Sequence, residues 1–499
     1  MLEPALRSLT RPEDKGLAAR PRRCRVRRPN AGEDGGSSEA LATARSLVVL
    51  CAAFFMVIID TTIVNVALPS IGAGLRSPVT GLQWVVDAYT LVFAVLLLGA
   101  GWGCDRLGAR RVFLVGLGAF TAGSGLCALA PGIHLLVGAR VVQGAGAALV
   151  LPASLAVIAS VFSDPKARAR AIGVWAAVAG AATALGPVAG GLLVDLAGWR
   201  SIFLVNLPIG VAALAMGRRQ LCETQRRPGG FDPGGQVLAA GALALVTLGL
   251  IEAGSAGWGS TVVIAAVGVG IALGGAFVAL ESRVAHPMLP TGLFHSPVFS
   301  AANVVGLVLN FGIYGQVFVL SLYFQRARGY SPLATGLALL PFAAMTVAGP
   351  VGVGRLTAKV GARLPMVAGQ LFAAAGSALL AMAGAHTPYG SLAPGLVALG
   401  AGMALVMPSM TAAVVQAAPG GQAGVASGVL NTARQVGGAI GVALLGSLVA
   451  GAGHLVSGMH LGLGVVAVVF ALGALVAWRY TKQPRPAATR PDGGQDGTR

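Results

Sequence analysis

Gly101-Trp102-Gly103-Cys104-Asp105-Arg106-Leu107-Gly108-Ala109-Arg110-Arg111 is a glycine-rich, basic turn set between two long apolar runs. Its pattern, Gly101-x-x-x-Asp105-Arg106-x-Gly108-x-Arg110, recurs as Gly354-x-x-x-Ala358-Lys359-x-Gly361-x-Arg363, with alanine in place of the acid. Outward from it, Gly144-Ala145-Gly146-x-Ala148-Leu149-Val150-x-Pro152 recurs as Gly400-Ala401-Gly402-x-Ala404-Leu405-Val406-x-Pro408, and Gly173 and Gly186 match Gly428 and Gly441. The offsets are 253, 256 and 255 residues, so one unit has been duplicated. Glycines in such a turn permit sharp bends and close helix approach, while Asp105 can pair with arginines or a helix N-terminus.

Around both copies the chain is apolar. It has 499 residues, 55% hydrophobic and 10% charged, with 74 glycines and a mean hydropathy of +0.78. A soluble domain carries roughly 25% charged residues, and here 16 charges fall in residues 1–45 and 7 in residues 479–499. Continuous apolar runs of ~20 residues mean an all-α polytopic membrane protein. A transmembrane β-barrel would alternate and is excluded. Spans are expected near 46–71, 83–103, 112–131, 133–153, 171–196, 202–218, 236–254, 261–280, 298–324, 332–354, 365–386, 390–413, 427–451 and 460–479, about fourteen in all. The resulting organisation is a disordered basic tail (1–45), a six-helix bundle (46–219), a polar linker (220–235), two inserted spans (236–281), a loop (282–297), a second six-helix bundle (298–479) and a tail (480–499). Duplicated halves facing each other across a midplane cavity are the design of secondary transporters.

The net charge of +18 is topological rather than a nucleic-acid footprint, since no binding pattern for RNA or DNA accompanies it. With the N-terminus inside, 14 basic residues fall in inner loops and 4 in outer ones, which puts both termini in the cytoplasm of a plasma-membrane protein. The N-terminal arginines Arg20 to Arg28 are expected to meet anionic lipid. The five cysteines lack metal spacing and imply no disulfide framework. Arg140, Gln143, Gly144 and Ala147 share one helix face. An arginine inside a span costs at least ~2.5–3.5 kcal/mol, so Arg140 should face a wet cavity or an acid; the plainer alternative is that it ties two helices together. Gly186 and Gly190 form a small face for close packing, and Pro187 bends the span. Asp60, ~21 Å along the first span, Asp87, ~6 Å below the outer end of the second, and Arg140, ~10 Å below the outer end of the fourth, should occupy one layer of the first bundle. In the second half Asn310, Tyr314, Asn431 and Arg434 are candidate cavity residues, or else interhelical hydrogen bonds.

No phosphate-binding loop follows any of the four lysines, and no hydrolase motif is present. An enzyme is not expected, nor a metal or cofactor; a proton gradient is the expected energy source.

The turn at Gly101, Asp105, Arg106, Gly108 and Arg110 resembles the loop motif of the major facilitator superfamily, over residues 46–479. Asp60-Thr61-Thr62-Ile63-Val64-Asn65-Val66-Ala67-Leu68-Pro69 resembles the first-helix motif of its fourteen-helix drug/proton antiporters. Leu136-x-x-x-Arg140-x-x-Gln143-Gly144 is similar to the fourth-helix motif in which the arginine takes part in proton coupling. Gly173, Gly186-Pro187 and Gly190-Gly191 resemble the antiporter motif of the fifth helix, with Ala182 at one expected glycine. Trp199-Arg200-x-Ile202-Phe203-x-x-Asn206-x-Pro208 fits the same branch. The resemblance implies two six-helix bundles plus two inserted helices, and proton-coupled export of a lipophilic drug or antibiotic, cationic ones included. Asp60, Asp87 and Arg140 would couple the proton, and Asn65 and Gln143 would join the cavity residues. A bacterial exporter working as a monomer is expected. Export of an endogenous metabolite, or a sensor or scaffold that has lost transport, are the alternatives.

Overall fold

Long runs of Ala, Leu, Val and Gly leave the backbone no partner in lipid but its own, so every span closes its hydrogen bonds as a helix. The computed structural model describes residues 35–481 apart from 163, 225, 227–231, 285–286 and 420–421. The helices are α1 (Gly35–Leu75), α2 (Val79–Leu107), α3 (Ala109–Leu129), α4 (Ile133–Val161), α5 (Pro165–Ala197), α6 (Ser201–Leu204), α7 (Asn206–Gln220), α8 (Pro233–Ala256), α9 (Thr261–Glu281), α10 (Pro297–Leu322), α11 (Pro332–Ala338), α12 (Leu340–Val360), α13 (Arg363–Leu380), α14 (Tyr389–Ala417), α15 (Ala423–Gly451) and α16 (Leu455–Tyr480). Among the described residues 13 helices are long and apolar enough to cross a membrane. The pair α11 and α12, bent by 43° at its break, makes a fourteenth. α1 begins at Gly35 rather than near 46, so part of the segment expected as a disordered tail is helical. Residues 1–34 and 482–499 lie outside the described residues. Among the described residues Cys51, Cys104 and Cys127 are free, and Cys24 lies outside the described residues.

Helix starts follow simple chemistry. Asp164, Asp232, Ser296 and Ser331 each accept a backbone N–H three residues on and are each followed by proline, which lacks the N–H that the first turn would leave idle. The two copies of the opening turn match in conformation: Gly108 (φ 95°) and Gly361 (φ 80°) end α2 and α12 with positive φ, which side chains disfavour.

If each span crosses once, one face of the molecule carries Glu223 and Thr224 (the linker side) and the other the turn at Arg76 and Ser77 (the far side). The two bundles are bonded on the far side. Gln83 Nε2 donates to Ala443 O at 2.7 Å, and Gln325 Nε2 donates to Val66 O at 2.8 Å. Asp195 at the end of α5 accepts from Ser331 Oγ and Leu333 N, both at 3.1 Å, capping the start of α11 in the other bundle. The inserted pair lies outside the two bundles. α8 packs along the seam of α2 and α15, with Gln236 donating to Val95 O at 2.7 Å and Gly254 against the Ser447 backbone.

Glycines record where helices touch, within the first bundle at Gly186 and Gly190 and between the bundles at Gly191. On α5, a Cβ at Gly186 would overlap Thr62, one at Gly190 would sit 2.9 Å from Ile63 O, and one at Gly191 would strike the Pro332 and Leu333 backbone. Toward the linker side, a Cβ at Gly173 or Gly180 of α5, Gly352 or Gly354 of α12, or Gly424 or Gly428 of α15 would meet nothing within 4 Å. The bonds between the bundles named above lie on the far side, and these linker-side glycines face no neighbouring atom.

Candidate functional site

Small residues bring α2, α3 and α4 close enough for their polar groups to meet. A Cβ on Gly144 would lie 2.5 Å from Tyr89 O, and one on Gly123 would lie 2.7 Å from Gln143 Cγ. In the resulting space Arg140 is buried to 1% exposure and ion-pairs with Asp60, which is fully buried. Its Nε donates to Val85 O at 3.0 Å, Nη1 also donates to Gln143 Oε1 at 2.9 Å, and the guanidinium lies 4.2 Å over the Tyr89 ring. A desolvated cation over an aromatic face gains ~2 kcal/mol. Gln143 Nε2 donates to Ser124 Oγ at 2.6 Å and to Asp60 Oδ1 at 3.4 Å; Asn206 Nδ2 donates to the same two atoms at 3.1 and 3.4 Å. Cys127 Sγ donates to Gln143 Oε1 at 3.1 Å. The network thus joins α1, α2, α3, α4 and α7, and it holds one negative and one positive charge.

Asp87 lies elsewhere. Val85 and Tyr89 face Arg140, and a residue two positions from each on a helix points about 200° away. Asp87 shares its face with Gln83, one turn off, which bonds to α15. Both its carboxylate oxygens are buried with no hydrogen-bond partner. The expected layer of three is a pair plus one isolated carboxyl.

The remaining expected residues distribute as follows. Asn65 Nδ2 bonds its own helix at Thr61 O (2.9 Å), leaving Oδ1 buried without a partner. Arg434 donates from Nε to Asn310 Oδ1 at 3.4 Å and from Nη1 to Asn431 Oδ1 at 3.1 Å. The Tyr314 ring lies on Gly438, and Tyr314 is within electrostatic reach of both Arg434 and Tyr89. At the opening turn, Gly101 has open space while Asp105 and Arg106 are exposed. Its partners come from the linker: Glu223 Oε1 accepts Arg110 N at 3.2 Å, Glu223 Oε2 faces Arg111 Nε at 3.5 Å, and Thr224 Oγ1 accepts Ala109 N at 2.8 Å. A Cβ at Gly108 would collide with Glu223. Pro187 O packs on Gly336 of α11.

Two bundles of duplicated sequence, bonded to each other on the far side, and an ion pair sealed in the first fix the architecture. The Major Facilitator Superfamily model matches residues 50–442. The chain belongs to that superfamily. It is a membrane transporter and not an enzyme. This facilitator is 39% identical over 454 residues to a methylenomycin A resistance protein of Streptomyces coelicolor, covering 90% of this chain and 94% of that one. It is 39% identical over 413 residues to the multidrug resistance protein Stp of Mycobacterium tuberculosis, covering 81% and 75%. A solved auto-inhibited peptide transporter of the POT family shares the fold of this facilitator, with a TM-score of 0.68 at 16% identity, covering 90% of this chain and 99% of that one.

Ser124, Asn206 and Tyr89 complete the ion-pair network, and sequence reasoning gave them no role there. Asn206 stood in a quoted motif, but nothing in a linear pattern says which acid an amide will reach. Glu223 and Thr224 are acid and hydroxyl in a polar linker, a context in which such residues are ordinary.

Proposed function

We propose that this facilitator exports a lipophilic drug or antibiotic from the cytoplasm in exchange for protons, with the linker side and both termini cytoplasmic in the plasma membrane. The observation that carries the reading is the Asp60–Arg140 pair buried in the first bundle. One arginine and two amides hold the Asp60 carboxyl. Taking up a proton breaks the pair and leaves a buried guanidinium without its anion, a change that costs about 3–5 kcal/mol when one partner of a buried pair is lost. That cost ties protonation to a rearrangement around α1 and α4. The similar relatives named for resistance to methylenomycin A and to multiple drugs support the substrate class. Asp87, a buried carboxyl without a partner on a face turned to α15, is the group that tunes preference for cationic substrates. The motif turn and its linker clamp form the cytoplasmic gate.

The test is drug-induced proton release in everted vesicles, with ethidium as a cationic and chloramphenicol as a neutral probe. Asp60→Asn is expected to abolish proton release with both. Asp87→Asn is expected to lower ethidium export at least tenfold while chloramphenicol export stays within twofold. Normal proton release from Asp60→Asn rules out this proton site.

A further inference from the structure

Between Glu281 and Asp492 the sequence contains no aspartate or glutamate at all. The second bundle is thus free of acids, yet it holds Arg434 well inside a span, twelve residues into α15 from Ala423. The other basic residues between 298 and 479 fall in loops or near span ends: Arg326, Arg328, Arg355, Lys359, Arg363 and Arg479. Arg434 is half-buried and makes no ion pair among the described residues, in contrast to Arg140, which has its acid. A guanidinium carries five N–H donors. Two are used, both on side-chain amide oxygens: Nε on Asn310 and one N–H of Nη1 on Asn431. Asn310 is 2% exposed and its Nδ2 has no partner.

The position is built rather than accidental. Gly306 leaves room for the Arg434 stem, whose Cγ would stand 3.3 Å from a Cβ there, and Gly437 lets α15 lie against the Leu307 backbone of α10. The two asparagines present their oxygens to the guanidinium, which fixes its plane. The remaining guanidinium donors and Asn310 Nδ2 are then donors without acceptors. Tyr314 lies within electrostatic reach of both Arg434 and Tyr89, the ring that covers the Arg140 guanidinium.

We infer that Arg434 and Asn310 form a subsite for a carboxylate or similarly planar anionic group on the exported molecule. This rests on the exporter reading above and narrows it: the preferred substrates are acids or zwitterions with an apolar body. A guanidinium fork matches a two-oxygen anion in its own plane, and no residue of the same bundle can supply one.

A matched pair of probes tests this: tetramethylrhodamine bearing its free carboxylate and the methyl ester of the same dye, which keep the same cation and differ only in the anion. In a pump-deficient host expressing the full chain, the carboxylate dye is expected to be extruded at least tenfold better than the ester. Arg434→Gln should erase that preference by lowering carboxylate export while ester export stays within twofold, which also shows that the variant folds. Arg434→Lys should restore part of it. Equal export of both dyes by the unsubstituted chain, or an equal loss of both in Arg434→Gln, overturns the anionic subsite; the second result is what a bond from Arg434 to Asp87 during the transport cycle would give. Failure of the unsubstituted chain to export either dye counts against the exporter reading itself.

Discussion

Gln143 uses all four positions of its amide: Nε2 donates to Asp60 and Ser124, and Oε1 accepts from Arg140 and Cys127. Every one of those partners is buried, so removing the amide leaves several unsatisfied groups at ~1–3 kcal/mol each. Gln143→Leu is expected to lower the thermal midpoint of the purified protein by several degrees and to abolish drug-induced proton release. An unchanged midpoint with full transport would make Gln143 a bystander. Asp60, Asp87 and Arg140 were legible in the sequence as one layer because counting 1.5 Å per residue supplies depth, and an arginine within a span is expected to face water or an acid. Asp87 matched that depth and still fell outside the network. Counting places a residue along a helix axis; the direction it faces depends on which neighbours the helix packs against, and two positions separate opposite sides. Arg434 was legible as an unusual charge, but the pairing of its donors with Asn310 and Asn431 belongs to the contact between α10 and α15.

At the scale of helices, α5 is the element on which access turns. Its far-side half is fitted to α1 through Gly186 and Gly190 and to α11 through Gly191, and Asp195 closes the seam by capping α11. Gly190→Leu would drive a side chain into the Ile63 backbone and is expected to abolish drug resistance at normal membrane expression. Pro187→Ala, at the residue whose carbonyl packs on Gly336 of the other bundle, should do the same. Asp195→Ala removes a bond across the seam without adding bulk. It should raise leak of protons through the protein while resistance falls only a few-fold, measured as acidification of drug-free proteoliposomes. The fourteen spans and the duplication were readable because apolar length and glycine spacing are local properties, whereas the break between α11 and α12 was not. The clamp of Glu223 and Thr224 on the turn at Gly108 was not, since it joins segments more than a hundred residues apart. Within that turn, Asp105→Asn is expected to slow turnover strongly while apparent drug affinity changes less than twofold; weakened binding at unchanged turnover would make it a substrate contact.

Across the whole molecule, far-side glycines of α5 and α15 press on neighbouring helices, while Gly173, Gly180, Gly352, Gly354, Gly424 and Gly428 on the linker side meet nothing within 4 Å. Alternating access requires a second arrangement of the same two bundles, in which the contacts exchange sides. A cysteine at Gly428 should react readily with a membrane-impermeant maleimide from the linker side in the present arrangement and lose at least fivefold in rate when the molecule turns over. A constant rate throughout the cycle would mean that this surface never closes. The empty margin along α5 and α15 also sets a resting bias. A bulky residue there costs nothing in the conformation described and weighs only against its successor, so by population shift it favours the drug-accepting form. Gly173→Trp should therefore tighten apparent drug binding while stopping export, which would make the linker-side half of α5 a handle for arresting transport at a distance from the Asp60–Arg140 pair.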